Sequence, residues 1–156
     1  MMKKYSILAA GLVSVAVIGT AIAQETENPA IKARTSIMKL YSFNIATLGG
    51  MAKGETEYDA EAATRAANNI VAVLQIDQSE MWPAGSDNVS DPSTRALPDI
   101  WENFPDVGTK AQALADAAVA MQAAAGQDVD SLKAAMGPLG GACSACHKAY
   151  RAPEDK

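Results

Sequence analysis

Cysteine and histidine are nearly absent from this chain, which has two of the first and one of the second in 156 residues. A structural zinc site wants four Cys, His or carboxylate ligands, and no second Cys/His pair exists to complete one. Aromatic residues make up 5% of the chain and β-branched runs are few. No segment alternates apolar and polar residues as a half-buried strand must, and no repeat recurs at a fixed period, so sheet and solenoid architectures have no support. Basic residues are the minority, 13 against 18 acidic, giving a formal charge of −5. Nucleic acid and anionic lipid are therefore poor partners, whereas a basic protein or a small uncharged ligand is compatible.

Long apolar runs are also scarce, and the one present lies at the start. Met1-Met2-Lys3-Lys4 is basic, an apolar stretch follows over residues 7–18, and Ala21-Ile22-Ala23 has the form of an A-x-A cleavage site. Residues 1–23 are thus expected to be a cleaved secretory signal. An uncleaved anchor is disfavoured by Gly11, Ser14, Gly19 and Thr20, and no cysteine follows the site to carry a lipid. Cleavage leaves 133 residues as one domain over residues 24–156, with 11 basic and 18 acidic residues and a charge of −7.

That domain is rich in alanine, with Pro and Gly spaced as loops between long helices. Over residues 29–48, Ile31, Arg34, Met38, Tyr41, Ile45 and Leu48 recur at intervals of 3, 4, 3, 4 and 3, one face of a helix that Gly49-Gly50 should end. A second helix is expected from an Asp59 N-cap to about Glu80, with Ala63, Ala66, Ile70, Val73 and Leu74 inward and Trp82-Pro83 as the stop. Residues 83–97 are rich in Ser, Asp and Pro, and read as a long loop. Pro98 suits the first turn of a third helix carrying Val107, Ala111, Leu114, Ala118, Met121 and Ala125, with Pro105 breaking or kinking it near Phe104. The fourth starts near Asp130 and carries Leu132, Met136, Leu139, Cys143, Cys146 and Tyr150 on its inner face. Four amphipathic helices with this spacing imply an all-α, antiparallel, left-handed four-helix bundle.

All the scarce residues fall in one window of the last helix, Cys143-Ser144-Ala145-Cys146-His147. Residues three and four apart share a helix face, so two thiols and an imidazole point the same way. Cys-x-x-Cys-His is the attachment signal for c-type haem, in which two thioethers fix the macrocycle's edge and the histidine is the proximal iron ligand. A Cys143–Cys146 disulfide would close a tiny loop and leave His147 unexplained, and a thioredoxin-type pair wants a βαβ context that is absent.

GGACSACHKAYR at residues 140–151, together with IKARTSIMKL, MWPAGSD and LPDIW, resembles the cytochrome c′ family, the class II c-type cytochromes, over residues 28–152. The resemblance implies a bundle enclosing one covalent haem c, with Met38 over the distal haem face and Arg34 paired with a propionate. It also implies that Trp82 walls the pocket and that Arg151 lies beside the proximal site. Arg34, a charge on a buried stripe, needs a counter-ion. Pro105 departs from the usual family pattern.

Function divides on Met38. If its sulfur binds iron, both axial positions are filled and the protein shuttles single electrons; if it only packs there, nitric oxide or carbon monoxide can enter, and the family contains both kinds. Electron transfer is the favoured expectation. An enzyme would want distal acid–base groups, and the distal stripe offers only Arg34, Tyr41 and apolar neighbours. Attachment of such a haem follows export, so a periplasmic protein free of the membrane is expected, with redox proteins as partners. The resemblance further implies a homodimer through the first two helices, where Ala62 and Ala67, expected at the surface, would permit close approach.

Overall fold

The structure, a computed structural model, describes residues 28–154. The expected signal segment lies outside them. Within them the chain is helical: α1 (Pro29–Lys53), α2 (Ala60–Leu74), a single 3-10 turn (Ser79–Met81), a short α3 (Asp99–Glu102), α4 (Phe104–Ala124) and α5 (Val129–Tyr150). No strand occurs among the described residues, only an isolated antiparallel bridge between Ala96 and Arg151. The four long helices form a four-helix bundle in which α1 packs on α2 and α5, and α4 packs on the same two. Short connections at one end, residues 54–59 and 125–128, make successive helices antiparallel. The first turn of α1 and the last of α5 therefore meet at the other end.

Helix starts follow their capping residues. Asp59 accepts a bond from the Ala62 amide at 2.9 Å and Asp128 one from Ser131 at 2.7 Å, so α2 and α5 begin within a residue or two of expectation. The break near Phe104 is real: Asn103 separates α3 from α4, and Pro105 sits in the first turn of α4, where its missing N–H costs nothing.

Two helix ends differ from the expectation. Gly49-Gly50 does not stop α1, which runs on to Gly54, whose φ of 74° closes it in the left-handed conformation. Gly49 is buried and faces Met136 of α5, with room for a Cβ at an ordinary 3.7 Å from Met136 Cε. Helix α2 ends at Leu74, short of Glu80, and the chain turns into the Ser79–Met81 segment. A further feature, Pro138, lies inside α5 at an exposed position and leaves the Ala134 carbonyl without its usual amide partner.

The core runs along the bundle from the closed end, the end with the two short connections, to Ile37, Tyr41, Ile70 and Val73. Leu48, Ala63, Ala67, Met121, Ala125, Leu132 and Leu139 are fully buried there and come from all four long helices. Each large side chain among them contributes roughly 1.5–3 kcal/mol by leaving water. Ala67, expected at the surface, is part of this core and Ala62 is half-buried; Ala111, expected inward, is exposed. The exposed apolar side chains between α1 and α2 are Leu40, Phe43 and Ile76.

Candidate haem-attachment site

Cys143, Cys146 and His147 lie on the last two turns of α5, at the end of the bundle opposite the two short connections. Both cysteines are half-buried free thiols. Their environments differ. Cys143 lies toward α1, close enough to raise the Tyr41 phenol further after burial has done most of it, and Cys146 lies toward Lys110 and Asp106 of α4. Burial raises both thiols above their ordinary value, so at neutral pH they are protonated and poor candidates for thiol–disulfide exchange. His147, on the more open side of the helix, has its basicity lowered by partial desolvation first and then by the guanidiniums of Arg151 and Arg95.

Arg151 follows α5 directly and is exposed, 3.7 Å from the Glu154 carboxylate. Arg95 donates from Nε to the Ala152 carbonyl at 3.0 Å and is ion-paired with the same Glu154. On the α4 side, Asp106 accepts a 2.6 Å hydrogen bond from the Tyr150 hydroxyl and holds Lys110 Nζ at 2.9 Å.

Arg34 is inward, as its stripe requires, with 3% of its surface exposed. Its partners within the chain lie at Met81, Ser86 and Thr94. Nη1 donates to the Met81 carbonyl at 3.2 Å and to Ser86 Oγ at 2.7 Å, while Nη2 donates to the Ser86 carbonyl and to Thr94 Oγ1 at 3.1 Å. The guanidinium also lies 4.8 Å from the Trp82 ring centroid and 5.8 Å from that of Trp101. Desolvation lowers its pKa, and the charges of Asp91 and Asp87 oppose that shift. Trp82 meets Trp101 at 6.2 Å between centroids, and its carbonyl accepts the Trp101 indole N–H at 3.0 Å.

Met38, one turn after Arg34, is 39% exposed, and the neighbouring Ile37 is buried in its stead. The inner face of α1 reads Ile31, Arg34, Ile37, Tyr41, Asn44 and Leu48, rotated by about one residue from the expected stripe at two positions. The structure thus brings Cys143, Cys146, His147 and Arg151 together on one stretch of chain and gathers Arg34 with Trp82 in a neighbouring cluster. Sequence reasoning missed Trp101, Ser86 and Thr94, although LPDIW and the Ser/Asp-rich loop were visible signals, and it missed the Tyr150–Asp106 pair altogether.

These residues fit a c-type haem. Two half-buried free thiols three residues apart sit on the last turns of α5, with an imidazole one position on. Among the described residues no group of three or more His, Cys, Asp or Glu is placed to hold a metal by side chains alone.

A helical bundle with a Cys-x-x-Cys-His turn at the end of its last helix defines a class II c-type cytochrome. The sequence profile of the family described as Cytochrome C′ matches residues 29–151. A cytochrome c-554 of Cereibacter sphaeroides is 45% identical over 121 residues, covering 78% of this chain and 79% of the relative. A cytochrome c′ of the same organism is 33% identical, covering 84% and 87%. The solved cytochrome c′ from Rhodobacter sphaeroides superposes with a TM-score of 0.79 at 32% identity, covering 81% of this chain and 97% of that one. The chain belongs to the cytochrome c′ family.

Proposed function

We propose that the chain is an exported, periplasmic electron carrier with one haem c, attached through Cys143 and Cys146, with His147 as proximal and Met38 as distal iron ligand. The haem supplies a one-electron iron couple when bound. The chain attaches it, offers the axial donors and keeps water away, with Trp82 and Arg151 at the margins of the pocket. The family's other members, as the resemblance implies, carry electrons or bind gases, and among the described residues the inner face of α1 offers Arg34, Tyr41 and Asn44 but no carboxylate or imidazole. Among the described residues no helix is long and apolar enough to cross a membrane.

One observation carries the choice of electron transfer. A methionine on an apolar stripe ordinarily fills core, as Met51 and Met121 do here, both buried. Met38 does not, because Ile37 takes the core position and leaves a flexible, 39% exposed thioether at the end of the bundle that carries His147. Gas binding is the second reading. It draws support from a ferrous cytochrome c′ variant of Alcaligenes xylosoxidans with bound NO, 28% identical with a TM-score of 0.70.

The ferric absorption spectrum at neutral pH tests the reading. Low-spin iron with a sulfur-to-iron band in the near infrared, lost in Met38→Ala, is expected, and acid–acetone should leave the pigment on the protein. A high-spin spectrum that Met38→Ala leaves unchanged moves the assignment to gas binding, and freely extracted pigment removes covalent attachment.

A further inference from the structure

The buried guanidinium of Arg34 joins two parts of the chain that helix packing alone does not tie. On one side is α1, whose next turn carries Met38. On the other is the loop of residues 83–97, gripped at Ser86 and Thr94. That loop is internally braced: Ser86 Oγ donates to the Pro83 carbonyl at 2.8 Å, and Asp87 accepts from the Val89 and Ser90 amides at 2.9 Å each. The Asn88 amide donates to the Ala96 carbonyl at 2.8 Å, and Thr94 Oγ1, besides holding Arg34, accepts from the Ala96 amide at 3.2 Å. Its far end is sewn to the end of α5, where the Leu97 amide donates to the Tyr150 carbonyl at 3.0 Å and the Ala152 amide to the Arg95 carbonyl at 2.8 Å.

We propose that residues 83–97 act as a strap across the end of the bundle that carries Cys143, Cys146 and His147, with Arg34 as the positioning residue that fastens α1 to the α5 segment following His147. The inference rests on the proposed function only where it concerns Met38 as a ligand. Arg34 touches neither thiol nor imidazole; it acts by fixing where the first turns of α1 sit. A planar guanidinium is suited to this because it donates in several directions at once while stacking on Trp82 and Trp101. Lysine in its place keeps the charge and loses the fork.

The test uses the haem-loaded protein and compares Thr94→Val, Arg34→Lys and Arg34→Met with the parent. Thr94→Val removes one acceptor from the strap while leaving Arg34 itself intact. Amide hydrogen exchange at residues 34–38, 86–97 and 150–152 should accelerate together by about tenfold, the effect of one charge-assisted hydrogen bond, with the α2 core amides unchanged. The low-spin ferric fraction should fall in Thr94→Val, fall further in Arg34→Met, and be partly restored in Arg34→Lys. Accelerated exchange confined to residues 86–97, with the α1 amides and the spectrum unmoved, would overturn the strap. If Arg34→Met fails to fold, Thr94→Val still decides the matter. A parent that is already high-spin sinks the electron-carrier reading alone; the strap then requires carbon monoxide association to the ferrous protein to quicken in Thr94→Val, and an unchanged rate with unchanged exchange rejects it.

Discussion

Tyr150 shows what a single side chain contributes beyond its area. Its hydroxyl ties the end of α5 to Asp106 in the first turn of α4 at 2.6 Å. That hydrogen bond pushes the phenol up to about 12 from 10.0, and with Lys110 it holds the Asp106 carboxyl below the usual carboxylate range. The native state therefore keeps the Tyr150 proton at pH values where the unfolded chain releases it. The corresponding stability is complete below the unfolded pKa and is lost as pH rises through about 12. Asp106 acts in the opposite sense, its contribution being present above the unfolded pKa and lost as pH falls through its lowered value. Tyr150→Phe should make the decline in unfolding free energy across the alkaline limb shallower, by up to one proton per molecule, in guanidinium titrations at a series of pH values. Parallel alkaline slopes for parent and variant would mean that the bond does not govern this limb.

At the scale of elements, the turn between α1 and α2 depends on two residues with different tasks. Gly54 supplies the positive φ that ends α1, a conformation an L side chain adopts at a cost of about 1 kcal/mol. Asp59 supplies the oxygen that caps α2, also worth about 1 kcal/mol. Gly54→Ala and Asp59→Ala should each lower the unfolding free energy by about that amount with no change in the denaturant slope. Losses below about 0.3 kcal/mol for both would indicate that the turn is held mainly by Tyr58, whose hydroxyl donates to the Ala125 carbonyl at 2.9 Å across the closed end.

For the whole molecule, the face between α1 and α2 bears on assembly. Phe43 is 71% exposed and, with Leu40 and Ile76, lines a shallow groove floored by the 3.0 Å hydrogen bond from Asn69 to Asn44. A cytochrome c′ with 31% identity and a TM-score of 0.73 undergoes ligand-controlled dimer dissociation. If this chain pairs through its first two helices, the contact is made by these larger side chains, since Ala67 is buried within the chain. Sedimentation should then show a dimer that Phe43→Glu converts to a monomer without loss of pigment. A parent that stays monomeric at high concentration removes this expectation.

The helices, the order in which they come and the placement of Cys143, Cys146 and His147 on one turn were legible from residue order alone. A helix face is set by neighbours three and four apart, and Asp59 and Pro105 mark their boundaries through bonds within a few residues. Long-range choices were not legible in that way. Arg34 finds Ser86 and Thr94 across 52 and 60 residues of chain, through a Ser/Asp-rich loop whose turns have no periodic pattern. Gly49 reads locally as a helix stop and becomes a packing contact only because Met136 of α5 arrives beside it. The exchange of Met38 for Ile37 on the inner face follows from a rotation of α1 by a fraction of a turn, which seven-residue spacing tolerates and only the shape of the facing helices α2 and α5 settles. Tertiary packing thus decided which residues meet across elements, because the free energy of those contacts depends on the path of the intervening chain.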